Sequence, residues 1–121
     1  MKILVFEPMK KPYVKDIKDN IHAMQEVVGG CIEPIYFEPD GKALAWCNDE
    51  FLLNGSAPNR IVGETLVHGT FYISGNCRNE YGEWDSCSLT DEQIKKYKEQ
   101  FSHMIVDLPG IGLVAVNECH P

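Results

Sequence analysis

The stretch Ile17-Lys18-Asp19-Asn20-Ile21-His22-Ala23-Met24-Gln25-Glu26-Val27-Val28 decides the fold. Its apolar residues Ile17, Ile21, Met24 and Val28 recur at i, i+4, i+7 and i+11, the spacing of one helical face, while Lys18, Asp19, Gln25 and Glu26 take other faces. Gly29-Gly30 stops the helix, because glycine accepts the left-handed cap conformation at little cost. Upstream, Lys2 to Glu7 is a short apolar run with β-branched and aromatic members, ended by Pro8, and reads as an interior strand. A helix set between that strand and further strands makes the chain α+β.

Downstream, Ile32 to Phe37 and Lys42 to Cys47 form a hairpin around the Pro39-Asp40-Gly41 turn, with Pro34 marking an edge strand or a bulge. Asn48-Asp49-Glu50 and Asn54 to Pro58 are turn signals on either side of Phe51-Leu52-Leu53. Arg60 to Val62 and Leu66 to Ser74 are extended. Gly75 to Ser88, rich in Asn, Gly and Ser, reads as the longest loop and a candidate lid. Thr90 with Gln93 makes a capping box for a second helix, whose apolar stripe is Ile94, Tyr97 and Phe101 and which ends near Ser102 or His103. Gly112 to Val116 supplies a last strand. The expected architecture is an antiparallel or mixed sheet of about five or six strands with two helices packed on one face, in a single domain over residues 1–121.

Of 121 residues, 44% are hydrophobic and 24% charged, which is the composition of a chain that buries a core. Eighteen acidic against 11 basic residues leave a net charge of -7 and disfavour binding to duplex nucleic acid or to anionic membranes, both polyanions. The acids are scattered rather than arrayed in the dense stripes of a DNA mimic. The longest apolar runs fall far short of the ~20 residues that cross a bilayer. Five cysteines without a Cys-x-x-Cys pair, and no secretory leader ahead of the first strand, lead us to expect reduced thiols in the cytoplasm.

The candidate functional residues are few. Asn59 offers a donor and an acceptor, and the planar Arg60 guanidinium can fork onto phosphate or carboxylate, so the pair suits an anionic, nucleotide-like ligand; it equally suits a turn cap beside a surface ion pair. Thr70 stands nearby in sequence. Trp84 and Tyr81, in the polar stretch, can stack on a base, whereas Trp46 and Tyr72, in strands, read as core. His68 beside Gly69-Thr70 reads as a satisfied strand histidine rather than a general base, and His22 as solvated. Cys77, Cys87, Cys119 and His120 lack the close pairing of structural zinc ligands. No nucleophile-base pair, complete metal-ligand set or phosphate loop stands out, so the reading leans away from an enzyme and calls for no cofactor.

Val28-Gly29-Gly30-x-Ile32-Glu33, Cys47-Asn48-Asp49-Glu50, Pro58-Asn59-Arg60, Gly69-Thr70-Phe71 and Ser88-Leu89-Thr90-Asp91 follow one another in an order that resembles the domain of unknown function family 3846. The resemblance runs from the first strand through the second helix. It implies an accessory protein of Firmicutes, their phages and mobile elements, with a counter-defence role, and adds Asn48 to the ligand-binding candidates. Cys31 stands where an aromatic is usual, Ala57 breaks the doublet before Asn59, and the loop from Ile61 to Val67 is short. The expected function is capture of a small anionic ligand. The alternatives are inhibition of a restriction or defence enzyme through an acidic surface, and, more remotely, degradation of a signal with His68 or a metal. A homo-oligomer with a shared site would be natural for so small a chain.

Overall fold

The computed structural model describes residues 1–117. In chain order the elements are β1 (Lys2–Phe6), β2 (Tyr13–Asp16), α1 (Ile21–Val28), β3 (Ile32–Ile35), β4 (Ala43–Asn48), β5 (Pro58–Val62), β6 (Thr65–His68), β7 (Phe71–Arg78), β8 (Trp84–Cys87), α2 (Asp91–Gln100), β9 (His103–Leu108) and β10 (Gly112–Asn117). The class is α+β as expected. A six-stranded antiparallel sheet has the order β2-β1-β7-β4-β3, with β8 added to β7, and β5-β6 and β9-β10 form separate hairpins.

β7 is the spine. Its first half pairs with β1, Phe71 opposite Phe6, and its second half pairs with β8, Arg78 opposite Trp84, while β4 runs along its other side. β8 therefore continues the line of β1, and Lys2 joins the two: its amide donates to Ser88 Oγ at 2.9 Å and its carbonyl accepts from the Leu89 amide at 2.9 Å. β1 is interior and β3, with Pro34, is an edge, both as the sequence led us to expect.

Strand alternation divides the core in two. Leu4, Phe6, Ala45, Phe71 and Ile73 point to the side roofed by Ile94 and Tyr97 of α2, by its C-cap Phe101 and by Val62 and Val67 of the β5-β6 hairpin. Ile3, Val5 and Tyr72 point to the side covered by Val28 and the neighbouring face of α1. The two helices thus lie on opposite faces, which corrects the expectation that they share one: β1 and β7 are buried on both sides and need a cover on each. On the α2 side Phe6 stacks on Phe71 with centroids 4.8 Å apart and meets Phe101 edge-on at 5.8 Å. Burying each such side chain contributes roughly 1.5–3 kcal/mol.

α1 starts at Ile21 rather than Ile17 because Asn20 caps it, its Oδ1 accepting from the Ala23 amide at 2.8 Å. Ile17 instead prolongs the edge strand, its amide donating to the Met1 carbonyl at 2.9 Å. α1 ends at Gly29 in the left-handed conformation, φ 78°, as its sequence indicates. α2 carries the Thr90-Gln93 capping box. The stretch from Gly75 to Ser88 is not a loop: it holds the end of β7, a turn and β8. Its polar residues conceal strands because this ribbon projects beyond the packed sheet. Asn79 makes the turn, Oδ1 accepting from the amides of Tyr81 at 2.9 Å and Glu83 at 3.0 Å.

Candidate functional site

The pair Asn59-Arg60 belongs to the interior. Asn59 and Arg60 are both fully buried. Asn59 Nδ2 donates to the carbonyls of Phe6 at 3.0 Å and Gly69 at 2.8 Å, tying β5 to β1 and to the start of β7. The Arg60 guanidinium donates from Nε to the Phe101 carbonyl at 2.8 Å, from Nη1 to Asn59 Oδ1 at 2.8 Å and from Nη2 to the Lys10 carbonyl at 2.9 Å, and lies 5.4 Å from the Phe6 ring centroid. A side chain enclosed in this way has no surface on which to receive an external anion. The reading of Asn59 and Arg60 as ligand contacts is therefore corrected to that of an internal brace.

The other candidates are dispersed. Asn48 is a clasp, its Nδ2 donating to the Val28 carbonyl at 3.2 Å and its Oδ1 accepting from the Glu50 amide at 2.8 Å. Gly30 leaves room for it, since a Cβ there would lie 2.8 Å from Asn48 Nδ2 and displace that side chain. Thr70 precedes β7 and Trp84 faces its far end, so the two stand roughly 26 Å apart at the usual strand rise. Tyr81 is 79% exposed at the tip of the β7-β8 hairpin. His68 ring Nδ1 lies 3.0 Å from the Ser56 carbonyl and the ring stacks on Phe51, a satisfied strand histidine. His22 is exposed.

Trp84 does stand at a site. A hollow of about 510 Å³ opens on the α1 side of the sheet, where α1 no longer covers β4, β7 and β8. Alternation brings its lining together: Leu44 and Trp46 from β4, Asn76 from β7, Trp84 and Ser86 from β8, with Asp85, Tyr36 and Gly41 at the margin. Trp46, expected in the core, is only partly buried, and its Nε1 donates to Ser74 Oγ at 3.0 Å. Asn76 is held by its Nδ2 on the Gly41 carbonyl at 2.9 Å. Trp84 is oriented from behind by Arg78, whose guanidinium carbon lies 4.9 Å from the indole centroid and whose Nη1 donates to the Gly82 carbonyl at 2.8 Å. A second recess of about 350 Å³ adjoins the first, sharing Trp84 and Asn76 and adding Lys42, Arg78, Thr90 and Gln93.

Asn76, Asp85, Ser86 and Arg78 are concealed in the sequence because their segment has the composition of a loop; the alternation of Asn76 with Arg78 and of Trp84 with Ser86 is the signal that marks them. A larger hollow of about 620 Å³ sits at the β3 edge between Glu33, Phe51 and Glu64. The thiol it reaches, Cys47, is a poor nucleophile, since burial and then the charge of Glu33 push it up to about 11.

Cys77 and Cys87 form a disulfide, which corrects the expectation of reduced thiols and engages two of the four residues weighed above as zinc ligands. The register makes them diagonal neighbours, Cys77 opposite Asp85 and Cys87 opposite Gly75. Cys31 and Cys47 are free thiols, and Cys119 and His120 lie outside the described residues. Among the described residues no group of three or more metal-ligating side chains converges, and no helix is long and apolar enough to cross a membrane.

The fold and the hollow define a small α+β protein with an aromatic-walled surface concavity. The chain belongs to the family described as Domain of unknown function (DUF3846), whose profile matches residues 1–102, ending just after α2 and leaving the β9-β10 hairpin outside. Neither a curated protein nor a solved structure matches it.

Proposed function

We propose that the chain is a non-enzymatic binding protein that captures a small nucleotide-like ligand in the concavity over β4, β7 and β8. The observation that carries this reading is the grouping of three aromatic side chains, Tyr36 (78% exposed), Trp84 (53% exposed) and Trp46, around one hollow. Exposed aromatics scattered singly need no explanation, but three around a concavity leave an apolar surface with no internal partner. A flat base against such rings is worth ~1–3 kcal/mol per stack, and Asn76, Ser86 and Asp85 present polar atoms to its edges. Asp85 repels an anion within the hollow, so the phosphate of the ligand lies across Trp84, toward Arg78 and Lys42 in the adjoining recess. A counter-defence use for such capture is what the family resemblance implies, and the features of the site do not bear on it.

Titration of the protein's tryptophan fluorescence with adenosine, adenosine monophosphate and the corresponding guanosine compounds tests the reading. We expect quenching that Trp84→Ala abolishes and that the phosphate strengthens. Absence of binding by every base at millimolar concentration removes it.

A second reading, inhibition of a defence enzyme by direct contact, is favoured by one observation. Leu52 and Leu53, 73% and 85% exposed, stand beside Glu33, Asp49 and Glu50 around a small hollow, an apolar point with an acidic rim suited to a basic protein surface. Capture of a host protein that weakens with salt and is lost in Leu53→Asp supports it; capture indifferent to that substitution counts against it.

A further inference from the structure

The Cys77–Cys87 disulfide ties β8, a four-residue edge strand of the main sheet, to β7. The bonded residues are ten apart in sequence, with Cα atoms 6.0 Å apart. The segment they close carries Arg78 at the end of β7 and Trp84, Asp85 and Ser86, the β8 wall of the concavity. Among the described residues β8 pairs only with β7, over four residues, and an isolated two-stranded ribbon is marginal in water. The ribbon holds little apolar surface against the core: Trp84 and Asp85 are exposed, and Ser86 and Cys87 are partly so. Gly75 makes the bridge possible, because a Cβ there would lie 2.8 Å from Cys87 Sγ. Cys77 is exposed, so its sulfur is open to attack.

We infer that this disulfide is a redox latch on the aromatic concavity. Bonded, it holds Trp84 and Ser86 in register against Trp46 and Asn76; opened by a dithiol reductant of the thioredoxin class, it releases the β8 wall and the affinity of the site falls. The consequence for affinity rests on the ligand reading above, whereas the consequence for the hairpin does not. In the first step a reductant thiolate attacks Cys77 Sγ, the Cys77–Cys87 bond breaks, and Cys87 leaves as a thiolate that takes up a proton. In the second step the other thiolate of the reductant attacks its partner sulfur in the mixed disulfide, and Cys77 leaves and is protonated. The protein gains two electrons and two protons, and the dithiol departs as a disulfide.

The test is hydrogen exchange by mass spectrometry on the whole chain, with and without dithiothreitol and in Cys77→Ser/Cys87→Ser, alongside fluorescence titration with adenosine monophosphate in the same three states. We expect exchange at amides of residues 77–87 to rise about tenfold or more on reduction, from the loop entropy the bridge removes, while the rest of the sheet keeps its protection. Binding should weaken at least about fivefold, with the double variant behaving as the reduced protein and ignoring reductant. Unchanged exchange overturns the latch. Faster exchange with unchanged binding overturns its control of the site. Faster exchange with no binding in any state supports the latch and overturns the ligand reading instead. Because wild-type protein with and without reductant answers the question alone, poor folding of the double variant does not spoil it.

Discussion

Arg60 Nη1 donates to Asn59 Oδ1 at 2.8 Å, so that two consecutive, fully buried polar side chains of β5 satisfy one another while their remaining groups bind the backbone of distant segments. Through them β5 is fastened to Phe6, Gly69, Phe101 and Lys10. A sequence motif with the chemistry of a phosphate fork serves here as a joint between the hairpin roof, the sheet and the end of α2.

Arg60→Ala should therefore destabilise the fold by about 3–5 kcal/mol, the usual cost of breaking a buried charged network. Arg60→Lys should recover little of this, since an ammonium cannot reproduce the planar fork. Denaturant titration followed by circular dichroism reads both. A loss within about 1 kcal/mol for Arg60→Ala would contradict the brace.

Trp84→Ala should behave in the opposite way. Its indole is half exposed and β8 is peripheral, so stability should change by no more than about 1 kcal/mol, while binding of a nucleotide probe weakens by the ~1–3 kcal/mol of a lost stack. Calorimetry with adenosine monophosphate, paired with a thermal melt, separates the two effects.

Tyr72 is fully buried with a hydroxyl that finds no hydrogen-bond partner among the described residues. Tyr72→Phe removes a desolvated polar atom without removing the ring, so stability should stay level or rise by up to about 1 kcal/mol. A loss of more than that by chemical denaturation would show that the hydroxyl is satisfied.

The Cys47 thiol is pushed up to about 11 by burial and by Glu33, from 9.0. The folded chain keeps this proton to higher pH than the unfolded chain, so between about pH 9 and 11 the unfolded state binds fewer protons and stability falls as pH rises. Below pH 9 this group contributes no slope. Tyr72 and Tyr97, both raised chiefly by burial, add to the loss at more alkaline pH. Cys47→Ala should flatten the dependence between pH 9 and 11, as measured by denaturation midpoints across that range; an unaltered slope would assign it elsewhere.

Much of the scaffold could be read from local signals. Gly29, Pro34 and the Thr90-Gln93 box marked a helix end, an edge strand and a helix start, because each works through its own backbone or through neighbours within a few residues. β2, β8 and β9 escaped notice. β2 is exposed along its whole length and β8 is polar, so neither shows the apolar contrast that announces a strand, and β9 follows α2 with no glycine or proline between to mark where the helix stops. The site is less legible: an aromatic in polar surroundings marks Trp84, but the side-chain chemistry of Asn59, Arg60, Thr70 and Asn48 carries no sign of where each one sits.

The α+β class, the two helices and the family are legible in the chain alone, since capping, periodicity and ordered motifs are written in neighbouring residues. Which polar residues face water emerges only from how the strands pair. Strand order turned Asn59 and Arg60 inward, put the helices on opposite faces, joined Cys77 to Cys87 and brought Trp46 beside Trp84. The physical reason is that burial and side-chain convergence are set by pairings between segments tens of residues apart, and the side chains of one segment carry no record of what will cover them.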